Sequence, residues 1–186
     1  MHYIFGGSGL QPQLPSRNGE FRITVHSPRG DIKSKELLGR PISVVLTTPR
    51  DSTREFNGLA TGFYQLGQHG RYHQYLLIVR PWTWLLTRTS DCKIFQDQTV
   101  RQIIEAVFAD HPYADFEFQL TARYKTWDYC VQYRESDFNF VSRLMEQEGM
   151  HFFFRHTAGK HTLVIADSLT AHQAAPGYAT PPFHEP

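Results

Sequence analysis

Two extended runs, residues 54 to 66 and 72 to 79, flank Gly67-Gln68-His69-Gly70, and this arrangement constrains the chain more than any other feature. Extended runs on either side of a Gly-containing turn read as a β-hairpin. Gly58 and Gly62 interrupt the first run, and glycines inside a strand pattern mark bulges or sharp bends. The sheet is therefore expected to curl, as barrels do. Phe21-Arg22-Ile23-Thr24-Val25-His26 alternates apolar and polar residues, which predicts a strand with one wet face. Pro41 to Thr47 is β-branched and short, with its proline at the first strand position. Fourteen Phe and nine Tyr in 186 residues favour the same reading, because aromatic side chains pack well on pleated surfaces. Ser27 to Asp31 is a turn; its tripeptide Arg29-Gly30-Asp31 arises readily by chance and is not read as an adhesion ligand.

The texture changes at Pro81. Residues 81 to 86 predict one helical turn that plugs a barrel end with the indoles of Trp82 and Trp84. Val100, Ile103, Ile104, Val107 and Phe108 then form one apolar stripe at helical spacing. Thr99 with Gln102 has capping-box spacing, Asp97 is an alternative cap, and Pro112 follows. Residues 116 to 120 and 128 to 133 read as strands. A second helix, capped by Ser136 or Asp137, lines one face with Phe138, Val141, Leu144 and Met145 and ends at Gly149. Residues 150–154 and 162–166 flank Thr157-Ala158-Gly159-Lys160 as a second hairpin. The expected fold class is mainly β with two short helices (α+β). The expected organisation is a flexible lead-in over 1–19, a first β-barrel-like domain over 20–90, a second domain over 91–168, and an extended tail over 169–186. Strands do not alternate with a regular series of crossover helices, which argues against a doubly wound α/β enzyme.

Charge and composition remove several function classes. Nineteen basic against eighteen acidic side chains argue against nucleic-acid binding by bulk positive charge. No stretch approaches the length of a membrane span, and Met1 to Gly7 lacks the pattern of a secretory signal peptide, so cytoplasmic synthesis is expected. Cys92 and Cys130 do not make a disulfide framework and are expected as free thiols. His151, His156 and His161 are spaced five apart, which puts the first two on opposite faces of one strand; they are read as solvent-facing hairpin residues, like His69 and His73, and not as metal ligands. No nucleophile elbow, Walker loop or dinucleotide fingerprint occurs. Glu135 and Asp137 beside a helix start are explained by the unpaired N–H groups there. Glu146 and Glu148 are placed on the exposed side, with Glu146 within reach of Arg143. Neither enzymatic activity nor a cofactor is expected. The alternative is a ligand-binding or hydrolytic cleft around Trp82, Trp84, Trp127 and Tyr129.

One segment is specific enough to name a family. Residues 129 to 149, Tyr129-Cys130-Val131-Gln132-Tyr133-Arg134-Glu135-Ser136-Asp137-Phe138 through Phe140, Arg143, Leu144, Glu146, Glu148 and Gly149, resemble the signature of VgrG, the spike protein family of type VI secretion. The aromatic strand His151-Phe152-Phe153-Phe154 and the run His161 to Ser168 follow in the expected order. Leu38-Gly39-Arg40-Pro41, Phe56-Asn57-Gly58, Tyr75 to Pro81 with Trp84-Leu85-Leu86, and Ile94-Phe95-Gln96-Asp97 are similar to the family's earlier motifs. The resemblance covers about residues 20 to 186. It implies barrel-like domains as in contractile phage tail hub proteins, and a structural role joining the inner tube to the central spike. It also implies a structural family motif made of Gln132, Tyr133, Glu135, Asp137, Phe138, Phe140, Arg143, Leu144, Glu148 and Gly149. The implied partners are further copies of the chain, as a homotrimer in the full-length family, together with inner-tube and baseplate proteins; neither nucleic acid nor membrane insertion is implied. Assembly in the cytoplasm followed by delivery through the injection machine is expected. The family's strands before Phe21 are not recognisable, so the chain is expected to be a partial module with Phe21–His26 and Thr162–Ala166 as exposed edges. A phage tail hub protein outside type VI secretion is the other reading of the same resemblance.

Overall fold

The computed structural model describes residues 6–13, 19–47 and 53–172. Strands β1 (Gly6–Gln13) and β2 (Glu20–Ser27) are followed by a single helical turn, α1 (Ser34–Leu37), and by β3 (Pro41–Thr47), β4 (Thr53–His69) and β5 (Tyr72–Arg80). These five strands form one antiparallel sheet in the order β1-β2-β5-β4-β3. The long hairpin is β4–β5, as its two extended runs predict. Register slips once between Ala60 and Gly62 and again between Gln65 and Gly67, so β4 bends there. Gly58 answers a different need: a Cβ on it would come within 2.7 Å of Val79 Cγ1 and 2.8 Å of the Arg80 carbonyl oxygen. The inward residues of alternating strands make the first core, with Ile23 and Val25 from β2, Tyr75, Leu77 and Val79 from β5, and Leu37 from α1.

Two expectations fail in this half. Residues 6–13 do not form a loose lead-in: despite their glycines they pair with β2 from Gly6↔His26 to Gln13↔Glu20, and the backbone ladder needs no side chain to form. The rest of the expected lead-in, 1–5 and 14–18, lies outside the described residues. Consequently Phe21–His26 is no edge, since β2 sits between β1 and β5. The edges are β1 and β3, and among the described residues no ladder closes one onto the other.

The second half begins with a 3-10 turn, Trp82–Thr87, and continues with β6 (Ser90–Phe95), β7 (Gln98–Thr99), α2 (Val100–Ala109), β8 (Phe116–Gln119) and β9 (Thr126–Trp127). It is completed by β10 (Cys130–Ser136), α3 (Asp137–Gln147), β11 (His151–Thr157), β12 (Lys160–Ala166) and a 3-10 turn at Leu169–Ala171. Thr99 caps α2 in a capping box with Gln102, and Ser136 caps α3 by accepting from the Asn139 N–H. Gly149 has φ +70 just past α3, the left-handed conformation that glycine takes cheaply. Both apolar helix stripes face a core that contains Ile103, Ile104, Phe108, Phe140, Leu144 and Ile165, and full burial of each is worth roughly 1.5–3 kcal/mol.

Trp82 lies in that second core, edge-on to Phe108 at 5.0 Å, while Trp84 stays half-buried under the guanidinium groups of Arg80 and Arg88. The turn therefore does not plug the first half with two indoles, and it packs with residues that follow it. β12 is the centre of the sheet β11-β12-β8, paired in parallel with β8, so Thr162–Ala166 is no edge either. A parallel partner 47 residues upstream, as in Leu163↔Phe116, leaves no local mark in the sequence. The expected tail begins with the turn at 169–171, and its residues 173–186 lie outside the described residues.

Candidate functional site

The motif residues of 129–149 converge on one corner, where β10 runs into α3. A bulge between Tyr133 and Glu135, with Arg134 at φ +52, turns the chain so that Gln132 and Asp137 point inward together. Gln132 is fully buried; its Nε2 donates to Asp137 Oδ1 at 2.7 Å and to the Glu135 carbonyl oxygen at 3.2 Å. Asp137 Oδ2 accepts from the Thr89 hydroxyl at 2.6 Å and lies 3.0 Å from His111 Nε2. The Asp137 backbone N–H donates to the Thr89 carbonyl oxygen at 3.1 Å. Burial opposes the charge on Asp137, but the hydrogen bonds from Thr89, Gln132 and His111 outweigh it and hold the carboxyl below its ordinary range. Asp137 is thus more than a residue beside a helix start: it ties α3 to β10, to residue 89 and to the end of α2.

A second contact locks the outer side of the corner. Arg143 Nη2 donates to Glu135 Oε1 at 2.6 Å and to the Val131 carbonyl oxygen at 3.3 Å. Helical spacing points Arg143 at Glu146, one turn along the helix; the bulge brings Glu135 to it as well, a partner that spacing does not announce. Phe138, Phe140 and Leu144 are buried in the second core, while Glu148 and Gly149 close the helix. Tyr133 points outward. It shares one face of the β6–β10 ribbon with Cys92, Ile94 and Val131, and Tyr133 and Ile94 are 64% and 60% exposed.

A joint between the halves was not legible in the sequence. Asn57, buried on β4, donates through Nδ2 to the carbonyl oxygens of Thr157 and Lys160, at 2.9 Å each, and accepts from the Ser43 hydroxyl at 2.6 Å. Glu55 accepts from the Gly159 N–H at 2.8 Å. The turn of the second hairpin therefore sits on β4. His156 and His161 face this joint and are not solvent-facing hairpin residues. Asp167 clamps the loop after β8, accepting from the N–H groups of Thr121 and Ala122 and from the hydroxyls of Thr121 and Tyr124. These bonds hold its carboxyl far below the usual carboxylate range. Asn57 and Asp167 each carry a resemblance-bearing neighbour in the sequence, but nothing local announces partners about 100 and 46 residues away.

The remaining candidates scatter. Trp82 is interior, Trp84 lies beneath arginines, Trp127 belongs to the short β7–β9 pair, and Tyr129 is exposed, so the four do not line one cleft. Cys92 is exposed and Cys130 buried, and both are free. Arg29 of the tripeptide is turned back onto Asp31 at 3.0 Å. Among the described residues, no three His, Cys, Asp or Glu side chains are grouped to hold a metal ion, and no helix is long and apolar enough to cross a membrane.

A curled antiparallel sheet joined to a helix-strand-strand-helix-hairpin half is the architecture of contractile-tail hub proteins. The family model described as phage tail baseplate hub (GPD) matches residues 15–186, and the chain belongs to that family. Several of the proteins it is similar to are named as spike proteins of type VI secretion. It is 45% identical over 166 residues to the type VI secretion system spike protein VgrG1a of Pseudomonas aeruginosa, a match spanning 89% of this chain and 26% of the relative. It is 49% identical over 150 residues to VgrG1c of the same organism, covering 81% and 21% of the two chains. The chain thus spans about a quarter of the length of these relatives. Among solved structures, the c3393 protein of E. coli superposes with a TM-score of 0.78 at 26% identity, over 92% of this chain and 51% of that one. That protein is described as a component of the type VI secretion system with structural similarity to the bacteriophage T4 tail proteins gp27 and gp5.

Proposed function

We propose that this chain is a structural hub segment of a type VI secretion spike, forming part of the joint between the inner tube and the central spike. The observation that carries the reading is the 45% identity to a spike protein over 89% of the chain. The chain works by shape and not by catalysis: its buried polar groups are spent on holding α3, β10 and the hairpin in place. The motif Gln132, Tyr133, Glu135, Asp137, Phe138, Phe140, Arg143, Leu144, Glu148 and Gly149 serves that scaffold. The chain is organised as two modules, the first running from β1 through β5 and the second from the 82–87 turn onward, joined through Asn57 and the β11–β12 turn. Its partners are further copies of itself, as a trimer, together with inner-tube and baseplate proteins. It assembles in the cytoplasm and leaves with the spike. The open apolar face of the β6–β10 ribbon supports a protein that works inside an assembly.

A chimaera tests this. Residues 15–186 are exchanged for the matching segment of VgrG1a in Pseudomonas aeruginosa, and release of the inner-tube protein is measured. Release near the parental level is expected. A chimaera that accumulates as a stable trimer yet releases nothing would overturn the reading.

A further inference from the structure

The β11–β12 hairpin is held to β4 and to the 82–87 turn through two imidazoles used as acceptors. His156 and His161 stand directly opposite each other in the ladder, with ring centroids 6.5 Å apart and planes within 23° of parallel. Nδ1 of His156 accepts the backbone N–H of Asn57 at 3.0 Å, and Nε2 of His161 accepts the backbone N–H of Trp82 at 2.9 Å. The first contact ties the hairpin to β4 of the first half, and the second ties it to the turn that opens the second half. A ring nitrogen accepts only while it carries no proton, and a protonated imidazole has two donors and no acceptor. Protonation would set N–H against N–H at both points and place two cations side by side.

We propose that this histidine pair makes the β11–β12 turn an acid-releasable clasp: neutral rings hold the hairpin to β4 and to the start of the 82–87 turn, and protonated rings let it go. The surrounding charges do not rescue the cationic form. β4 contributes Arg54 and Glu55, and Glu55 is engaged by the Gly159 N–H. The segment entering β8 contributes Asp115, and β8 itself Glu117, which is held by Arg155 of β11 at 2.9 Å. β12 adds Lys160, and the 82–87 turn has no titratable side chain.

Burial pushes both rings below the ordinary histidine range. For His156, Arg54 adds to the effect and Glu55 opposes it. For His161, His156 adds and Asp115 opposes, and the ring comes down to about 4. A folded value below the unfolded one means that the clasp is whole above about pH 6.5 and weakens as the pH falls from there towards the folded value.

Hydrogen exchange of the full chain, read by NMR as protection factors at about pH 7.5 and about pH 5, tests the clasp. Protection of the Trp82 amide should fall by up to about 30-fold, the ratio that 6.5 and about 4 give at the lower pH. The Asn57 and Gly159 amides should fall with it, while the β2–β5 ladder stays protected. The double variant H156N/H161Q puts a carbonyl oxygen that does not titrate near each ring nitrogen's place, and its protection should not respond to pH. Flat protection in the parent, or an equal fall in the variant, would overturn the proposal. If the variant does not fold, 15N titration of the imidazoles in the parent decides: values at or above 6.5 for both rings overturn the clasp, and depressed values support it.

Discussion

The two halves of the molecule hold themselves together by different means. The first is a backbone device. Its antiparallel ladders run almost without break from β1 to β3, and its core needs only alternating apolar residues on one face. The second half has short strands in three separate pairings, and its stability rests on side chains: two helix stripes, an aromatic interior and the buried carboxylate of Asp137. A ladder shares its load over many similar bonds, whereas a few buried side chains concentrate it. Single substitutions should therefore hurt the second half more than the first.

The strongest test is Phe140→Ala. Phe140 is fully buried and stacked on Phe95 at 5.6 Å, so truncation should cost about 3–5 kcal/mol in urea unfolding. A loss under 1 kcal/mol would break the contrast between the halves. Asp137→Ala comes next, at about 3 kcal/mol, because it strands Gln132, Thr89 and His111 together. The carboxyl's folded value is depressed, so its contribution is complete above the ordinary carboxylate value of 3.8 and disappears as pH falls through the folded value. An acid unfolding curve of Asp137→Asn that overlays the parent's would contradict that. Gly149→Val should cost on the order of 1–2 kcal/mol from left-handed strain, with no side-chain clash, since nothing lies within 4 Å of the added Cβ. Thermal melting checks it. Arg101→Ala sets the floor: it removes one exposed i,i+4 pair with Glu105 on α2 and a guanidinium 5.0 Å over the Phe118 ring, and should shift stability by only about 0.5–1 kcal/mol.

Legibility followed the same division. α2, α3, the β4–β5 hairpin and the helix caps could be read directly, because their signals lie within a few residues of each other. β1 could not, because a strand whose partner supplies the ladder needs no pattern of its own. The motif at 129–149 was named by resemblance, and its wiring was not legible: Arg143 meets Glu135 across a bulge that spacing along the helix cannot foresee.

The amino-acid order by itself therefore determined α2, α3 and their caps, the β4–β5 hairpin, the core-facing stripes and the glycine at the end of α3, since each depends on local periodicity or on backbone conformation at one position. Only the tertiary structure decided which strands are edges, which half Trp82 belongs to, and that His156 and His161 face a joint and not water. The last outcome depends on groups brought together from 79 and 99 residues apart, and hydrogen-bond geometry over such separations is set by how the elements pack and not by any neighbour in the chain.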